Sequence, residues 1–160
     1  MISLEKKLEV LSKLASYFNK EKLTWAVGAS VLLYFKGYVD EFHDLDIMVE
    51  DKDALKMEEI LNKIGILLPS EKGNFKTKHF RKYVVDDVDI DMIGGFVIVS
   101  DDTDYDCDLK EEQISEYITV NEQQIPLHSL LLWKEYYELM GRTEKVMIIE
   151  RGCKYEENHD

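Results

Sequence analysis

The first part of the chain alternates between helical and strand-like patterns. Apolar side chains recur every three or four residues from Ser3 to Lys20, a spacing that predicts an amphipathic helix. The short apolar run from Leu23 to Val27 predicts a buried strand, and Gly28 follows it directly. Helical spacing then resumes up to Gly37. The pattern therefore predicts a strand, a glycine turn and a helix in succession.

Two later segments alternate between acidic and apolar residues. From Asp44 to Val49 the residues alternate: one side carries Asp44, Asp46 and Met48, and the other carries Leu45, Ile47 and Val49. From Val88 onward, Asp89 and Asp91 are separated in the same way. Because successive side chains of a strand point to opposite faces, each acidic pair is predicted to share one face of its strand.

The remaining pattern completes a mixed fold. Further predicted elements are a helix ending at Lys63, an extended stretch from Lys76 to Val85, a turn at Asp86-Asp87, strands at Phe96–Val99 and Glu116–Val120, and a helical segment from Leu127 to Arg151 with a break near Gly141. This order predicts an α+β fold, a mixed sheet flanked by helices with more helices at the C-terminus. We expect one domain over residues 1–153 and a disordered polar tail over 154–160.

The composition limits the partners. The net charge of −13 argues against an extended nucleic acid, whose phosphates require clustered Lys and Arg. A small anionic ligand held through a metal stays possible, because the metal supplies the positive charge. No apolar run approaches the roughly 18 residues of a membrane span. The charged N-terminus and the isolated Cys107 and Cys153 lead us to expect a cytoplasmic protein without a membrane partner.

The acidic pairs suggest a metal site. Two carboxylates on one strand face repel each other unless a cation lies between them, and ligand sets made only of oxygen favour Mg²⁺ or Mn²⁺. If a second strand adds Asp91, three carboxylates can hold two metals roughly 3.5–4 Å apart, as in-line phosphoryl displacement requires. Asp89 is the alternative third carboxylate. An Asp-x-Asp pair on its own is also common on solvent-facing strands, so the order of the elements matters. Gly28 would let a phosphate approach the backbone, and Ser30 would bind its oxygens.

These motifs together resemble those of the nucleotidyltransferase superfamily, which has the polymerase-beta-like palm fold. The resemblance is carried by a glycine turn that opens a helix within Trp25–Gly37, by the Asp-x-Asp strand within His43–Val49, and by a later acidic strand within Val88–Ile93. The C-terminal segment Ser129–Lys145 resembles the branch that holds antibiotic and abortive-infection or toxin–antitoxin nucleotidyltransferases. One departure is Ala29, where many members have a second glycine.

The resemblance implies a function and assigns the residues. It implies Mg²⁺-dependent (or Mn²⁺-dependent) transfer of a nucleoside monophosphate, AMP from ATP, to a hydroxyl of a small molecule such as an antibiotic, or of a protein. Asp44, Asp46 and Asp91 would be the catalytic and metal-binding residues, and Gly28, Ser30 and Lys134 would bind the nucleoside triphosphate. The alternative is a non-catalytic, antitoxin-like interaction module of the same fold. The sequence does not determine the oligomeric state.

Overall fold

The computed structural model describes residues 2–70, 76–114 and 116–159. Within these ranges the helices are α1 (Leu4–Lys20), α2 (Ala29–Phe35), α3 (Ala54–Ile64), α4 (Leu130–Leu139) and α5 (Thr143–His159). The strands are β1 (Trp25–Val27), β2 (Leu45–Val49), β3 (Ile66–Leu68), β4 (His79–Val85), β5 (Val88–Gly94), β6 (Val97–Ser100), β7 (Thr103–Asp106), β8 (Glu116–Val120) and β9 (Gln123–Leu127).

Seven of the strands form one mixed sheet. Their order is β3-β4-β5-β2-β1-β9-β8, and β6 and β7 form a separate hairpin. Strands β2 and β5 run parallel, as do β1 and β9, and the other neighbours are antiparallel. The predicted α+β fold with a mixed sheet and C-terminal helices is confirmed.

Helices cover both faces of the sheet. On the back face, the ring of Phe18 in α1 lies 5.1 Å from that of Trp25 in β1, and Ala54 at the start of α3 adjoins Gly94 in β5. On the front face, Trp133 of α4 packs over Gly28 at the end of β1. In β2 and β5 the buried back face is formed by Leu45, Ile47, Val49, Val88, Ile90 and Met92. The acidic residues lie on the front, together with Met48 and Ile93.

Three hairpins in the described part of the chain turn through two residues in the left-handed region, at Asp86-Asp87, Asp101-Asp102 and Asn121-Glu122. The predicted turn at Asp86-Asp87 is present, with φ of +48° and +70°, and joins β4 to β5. Asn121 and Glu122 join β8 to β9 in the same way, with φ of +46° and +69°. Such turns match the twist of antiparallel strands. Strand β9 was not predicted, and the C-terminal helical segment was expected to begin at Leu127, whereas Leu127 ends β9 and α4 begins at Leu130. Pro126 lies within β9, and proline usually argues against an inner strand.

The C-terminal end differs from the prediction. Residues 154–160 were expected to be a disordered tail, but α5 continues to His159. The ring of His159 stacks on that of Tyr155 at 4.0 Å, and its Nδ1 lies 2.9 Å from the Tyr155 carbonyl oxygen. Contacts between residues four apart stabilise the last helical turn. A polar composition alone could not reveal them.

Candidate active site

Two acidic residues lie side by side on neighbouring parallel strands. The Cα atoms of Asp46 in β2 and Asp91 in β5 are register partners. Paired residues of adjacent strands point to the same side of the sheet, so both carboxylates lie on the front face. Asp44 immediately precedes β2 and shares that side with Asp46. The sheet thus brings the two predicted acidic strands together.

The carboxylates are close enough to oppose one another's ionisation. Burial, and then the charges of Asp91 and Asp44, raises the pKa of Asp46 to about 8. Burial, and then the charges of Asp91 and Asp89, raises the pKa of Asp44 as well. Near neutral pH, full ionisation of this group requires positive charge nearby. The site is therefore an environment in which a bound cation would be stabilised.

Lys82 supplies one positive charge from the next strand. It is the register partner of Asp91 across β4 and β5, and its Nζ lies 3.0 Å from Asp91 Oδ1. The hydrogen bond to Asp91 raises the pKa of Lys82. Lys82 could not be recognised from the sequence, because the alternation in this stretch is too weak to show which face each residue occupies.

The donor set fits a divalent cation on one condition. In the described ranges, no three His, Cys, Asp or Glu side chains are already gathered into a metal site. Asp46 and Asp91 nevertheless offer adjacent carboxylate oxygens, the ligands that Mg²⁺ and Mn²⁺ prefer. The condition is that the ion pair between Asp91 and Lys82 breaks when Asp91 binds the cation. Asp44 would be the third ligand, while Asp89 is exposed on β5.

A cavity of about 260 Å³ opens in front of Asp46. It is bounded by the start of α2 after β1, by β2, β4 and β5 with their flanking residues, and by α4, α5 and the turn between them. Its lining is Ala29, Ser30, Asp46, Thr77, Phe80, Ile93, Phe96, Trp133, Tyr137, Met140, Arg142 and Lys145. Asp44 and Asp89 instead line a separate cavity of about 240 Å³, together with His43. Asp46 is therefore the acidic residue that faces the larger, aromatic cavity.

The basic residues of the Asp46 cavity come from the start of α5 and the turn before it. Lys145 Nζ lies 3.4 Å from Ser30 Oγ, and Arg142 lines the same space. Both residues lie within the segment Ser129–Lys145, which resembles the antibiotic and toxin–antitoxin branch. Lys134 is half-buried on α4 and does not line this cavity, and its side chain forms no hydrogen bond or ion pair with any described residue. Its nucleotide-binding role stays a prediction.

Gly28 has a packing role that the sequence did not reveal. Its φ of −132° is extended, so the backbone there does not require glycine. A Cβ atom would instead lie 2.6 Å from the indole ring of Trp133. Trp133 is only 3% exposed, and its Nε1 donates a hydrogen bond to Nδ1 of His128 at 3.0 Å. The space beside Gly28 is filled by Trp133, and its predicted contact with phosphate stays untested.

The backbone is strained at Ala29. This first residue of α2 has φ of +51°, in the left-handed region, which costs a residue with a Cβ about 1–2 kcal/mol. It is also the position at which many members of the resembled family have glycine. The strain therefore lies in the turn directly before Ser30, the predicted phosphate ligand.

Replacing Ala29 with glycine is expected to stabilise the protein by about 0.5–1 kcal/mol, because relief of the strain exceeds the entropy that glycine adds to the unfolded chain. Urea unfolding would measure the change. The matched control is Ala54→Gly at the first residue of α3, where φ is −62° and the same substitution should destabilise by about 1 kcal/mol or more. Equal losses at both positions would contradict the argument.

The fold was compared with known proteins. Neither protein-family models nor curated protein sequences give a match. Among solved structures, a protein from Thermotoga maritima described as a candidate nucleotidyltransferase matches with a TM-score of 0.69 and 24% identity over 94% of each chain. The chain has the nucleotidyltransferase fold. The resemblance found in the sequence is thus confirmed at the level of the fold.

Two antibiotic-modifying proteins share this nucleotidyltransferase fold. ANT(2")-Ia, solved in complex with adenylyl-2"-tobramycin, has a TM-score of 0.62 and 10% identity over 93% of this chain and 88% of its own. The lincosamide antibiotic adenylyltransferase LnuA, solved with lincomycin, has a TM-score of 0.60 and 11% identity over 89% and 95%. Separately, no helix among the described residues is long and apolar enough to cross a membrane.

Proposed function

We propose that this protein is a Mg²⁺-dependent nucleotidyltransferase that transfers AMP from ATP to a hydroxyl group of a small molecule. The observation that carries the proposal is the pairing of Asp46 with Asp91 on parallel strands, beside a cavity that has aromatic walls and basic residues at its edge. Arg142 and Lys145 place positive charge near the carboxylates, as expected if the cavity binds an anion such as a nucleotide phosphate.

Each part of the site has a role in this reaction. Asp44, Asp46 and Asp91 would hold the divalent cation, with Mn²⁺ as a substitute for Mg²⁺ and Asp89 as the alternative third ligand. When bound, this cation offsets phosphate charge and makes the acceptor hydroxyl more acidic. Lys145, beside Ser30, would neutralise the phosphates.

The cavity wall suits a nucleoside. Trp133, Tyr137, Phe80 and Phe96 offer ring faces and edges on which a base can stack. Gly28 and Ser30 would then lie near the phosphates. The hydroxyl oxygen of the acceptor would bond to the α-phosphorus as the bond to the β-phosphate oxygen breaks, so that pyrophosphate leaves and the hydroxyl proton passes to solvent.

The net charge and the structural neighbours support one class of acceptor. A net charge of −13 disfavours nucleic acid and favours a cationic small molecule. ANT(2")-Ia and LnuA were solved with antibiotic compounds, which supports an acceptor of this kind, including a role in antibiotic resistance. A hydroxyl on a protein is the second type of acceptor that we propose to test.

Thermal melting with Mg²⁺ and each of ATP, GTP, CTP and UTP tests the nucleotide site. We expect ATP to raise the melting temperature by several degrees at a concentration of about 100 times its dissociation constant, because a ligand that binds only the folded state stabilises it. The same nucleotide should give a labelled product when aminoglycosides or lincosamides are added with α-labelled ATP.

The control is Lys145→Met, which removes the ammonium next to Ser30 and should reduce the shift with ATP. No shift with any of the four nucleotides would contradict the proposal. That result would favour the alternative of a non-catalytic interaction module, such as an antitoxin-like partner of a toxin.

A further inference from the structure

Lys82 occupies the position at which a cation would approach Asp91. Its ammonium lies 3.0 Å from Asp91 Oδ1, and the Asp91 side chain is only 16% exposed, so little of that carboxylate stays open to solvent. The lysine side chain itself is 42% exposed. The pairing thus joins a largely buried acceptor to a donor that is more accessible to solvent.

We infer that Lys82 is an internal counter-ion that competes with the divalent cation for Asp91, and so sets the metal affinity of the site. This inference rests on the proposed function, since it assumes that Asp46 and Asp91 hold the metal. Without metal, the ammonium reduces the repulsion among Asp44, Asp46 and Asp91. With metal, the ammonium must leave Asp91, because two cations that close to each other repel.

The structure provides a second neighbour for the ammonium. Lys82 Nζ lies 5.5 Å from the centroid of the Phe80 ring, within the range of a cation–π interaction. Phe80 is on the same strand and lines the Asp46 cavity. A lysine released from Asp91 therefore stays at the edge of the cavity, where an anionic substrate would be bound. Lys82 acts through Asp91 and is a positioning residue.

Replacing Lys82 with Met should separate these effects. Met keeps much of the apolar length and removes the charge. We expect Lys82→Met to bind Mn²⁺ about tenfold or more tightly than the wild type, because both the competitor and its repulsion of the metal are gone. The probe is Mn²⁺ alone, with free Mn²⁺ measured by electron paramagnetic resonance. Lys82→Arg, which keeps the charge, should bind Mn²⁺ like the wild type.

A melting experiment gives a second readout. In EDTA, Lys82→Met should melt below the wild type, because three carboxylates lose their counter-ion. In saturating Mn²⁺ the order should reverse or the difference should vanish. If Lys82 had only a structural role, its replacement would lower the melting temperature by the same amount in both conditions.

The matched control is Lys13→Met. Lys13 pairs with Asp86 at 2.9 Å and is 39% exposed, so the substitution removes the same charge and a similar ion pair away from the Asp46 cavity. Its Mn²⁺ affinity should stay that of the wild type.

The outcomes distinguish the inference from the proposed function. Equal Mn²⁺ affinity of the wild type and Lys82→Met overturns the inference and leaves the proposed function intact. Weaker Mn²⁺ binding by Lys82→Met also overturns the inference, since Lys82 would then favour metal binding instead of competing with it. If neither the wild type nor Lys82→Met binds Mn²⁺, the proposed metal site is overturned, and both proposals fail with it.

Discussion

Replacing Asp46 with Asn is expected to abolish nucleotide transfer and, in metal-free buffer, to stabilise the fold. Asp46 faces the cavity and is paired with Asp91, so the substitution removes a proposed metal ligand and should lower the rate by roughly 1,000-fold or more. The same change relieves a carboxylate whose burial and acidic neighbours raise its pKa to about 8. The carboxylate at position 46 is thus expected to favour activity and to lower the stability of the metal-free fold.

The stabilisation should depend on pH in a defined direction. The pKa of Asp46 is raised by folding from its ordinary value of 3.8 to about 8. The folded wild type therefore loses stability as the pH rises from about 4 through 8. Asn does not ionise, so the difference between the variant and the wild type should be small at pH 4 and grow steadily towards pH 9. Urea unfolding in EDTA at pH 5, 7 and 9 would measure it.

Asp91→Asn and Asp89→Asn complete the experiment. Asp91 is the register partner of Asp46, whereas Asp89 is exposed and lines the separate cavity with Asp44. We expect Asp91→Asn to lose activity like Asp46→Asn, and Asp89→Asn to retain most of it. Transfer at a nearly normal rate in Asp46→Asn would refute the metal-based scheme. A greater loss in Asp89→Asn than in Asp91→Asn would reassign the third carboxylate.

Replacing Gly28 with Ala is expected to destabilise the protein by about 1–3 kcal/mol and to weaken nucleotide binding. The new Cβ would lie 2.6 Å from the indole of Trp133, which is too close for any real contact. Trp133 is buried and hydrogen-bonded to His128, so it cannot move away freely. Overpacking of a buried site costs about this amount. A displaced indole would also reshape the cavity that Trp133 lines.

A double-mutant cycle with Trp133→Phe identifies the cause. The smaller ring leaves more room beside residue 28, so the double variant should lose less stability than the sum of the two single losses. Denaturant unfolding of the four proteins gives the coupling energy. Additive losses would show that Gly28 is required for a reason other than its contact with Trp133. A nucleotide titration of the same four proteins shows whether nucleotide affinity changes in parallel with stability.

Some features of the site could be predicted from local sequence. The alternation at Asp44 and Asp46, and again at Asp89 and Asp91, requires each pair to share a strand face, because the period of a strand is two residues. The break at Gly141 followed from one glycine, whose φ of +72° is easiest for that residue type. These are properties that a short segment carries by itself.

The short strands were harder to find. Strand β3 has three residues, two of them exposed, and lies at the edge of the sheet. Such a segment has no alternating burial to detect. Strand β9 was hidden by Pro126, which the sheet tolerates because β9 pairs with β1 through Leu127 alone. In both cases pairing with the neighbouring strands, and not the sequence of the segment itself, determines that the segment is a strand.

The sequence by itself determined the α+β class, the acidic face of each strand and the residue types that suggest a cation. Only the tertiary structure decided that Asp46 lies opposite Asp91, since parallel pairing of strands so far apart in the chain depends on the whole sheet. It alone placed Lys82 against Asp91, and Lys145 against Ser30. Long-range register and helix docking arise from packing across the core, and no local pattern of polar and apolar residues encodes them.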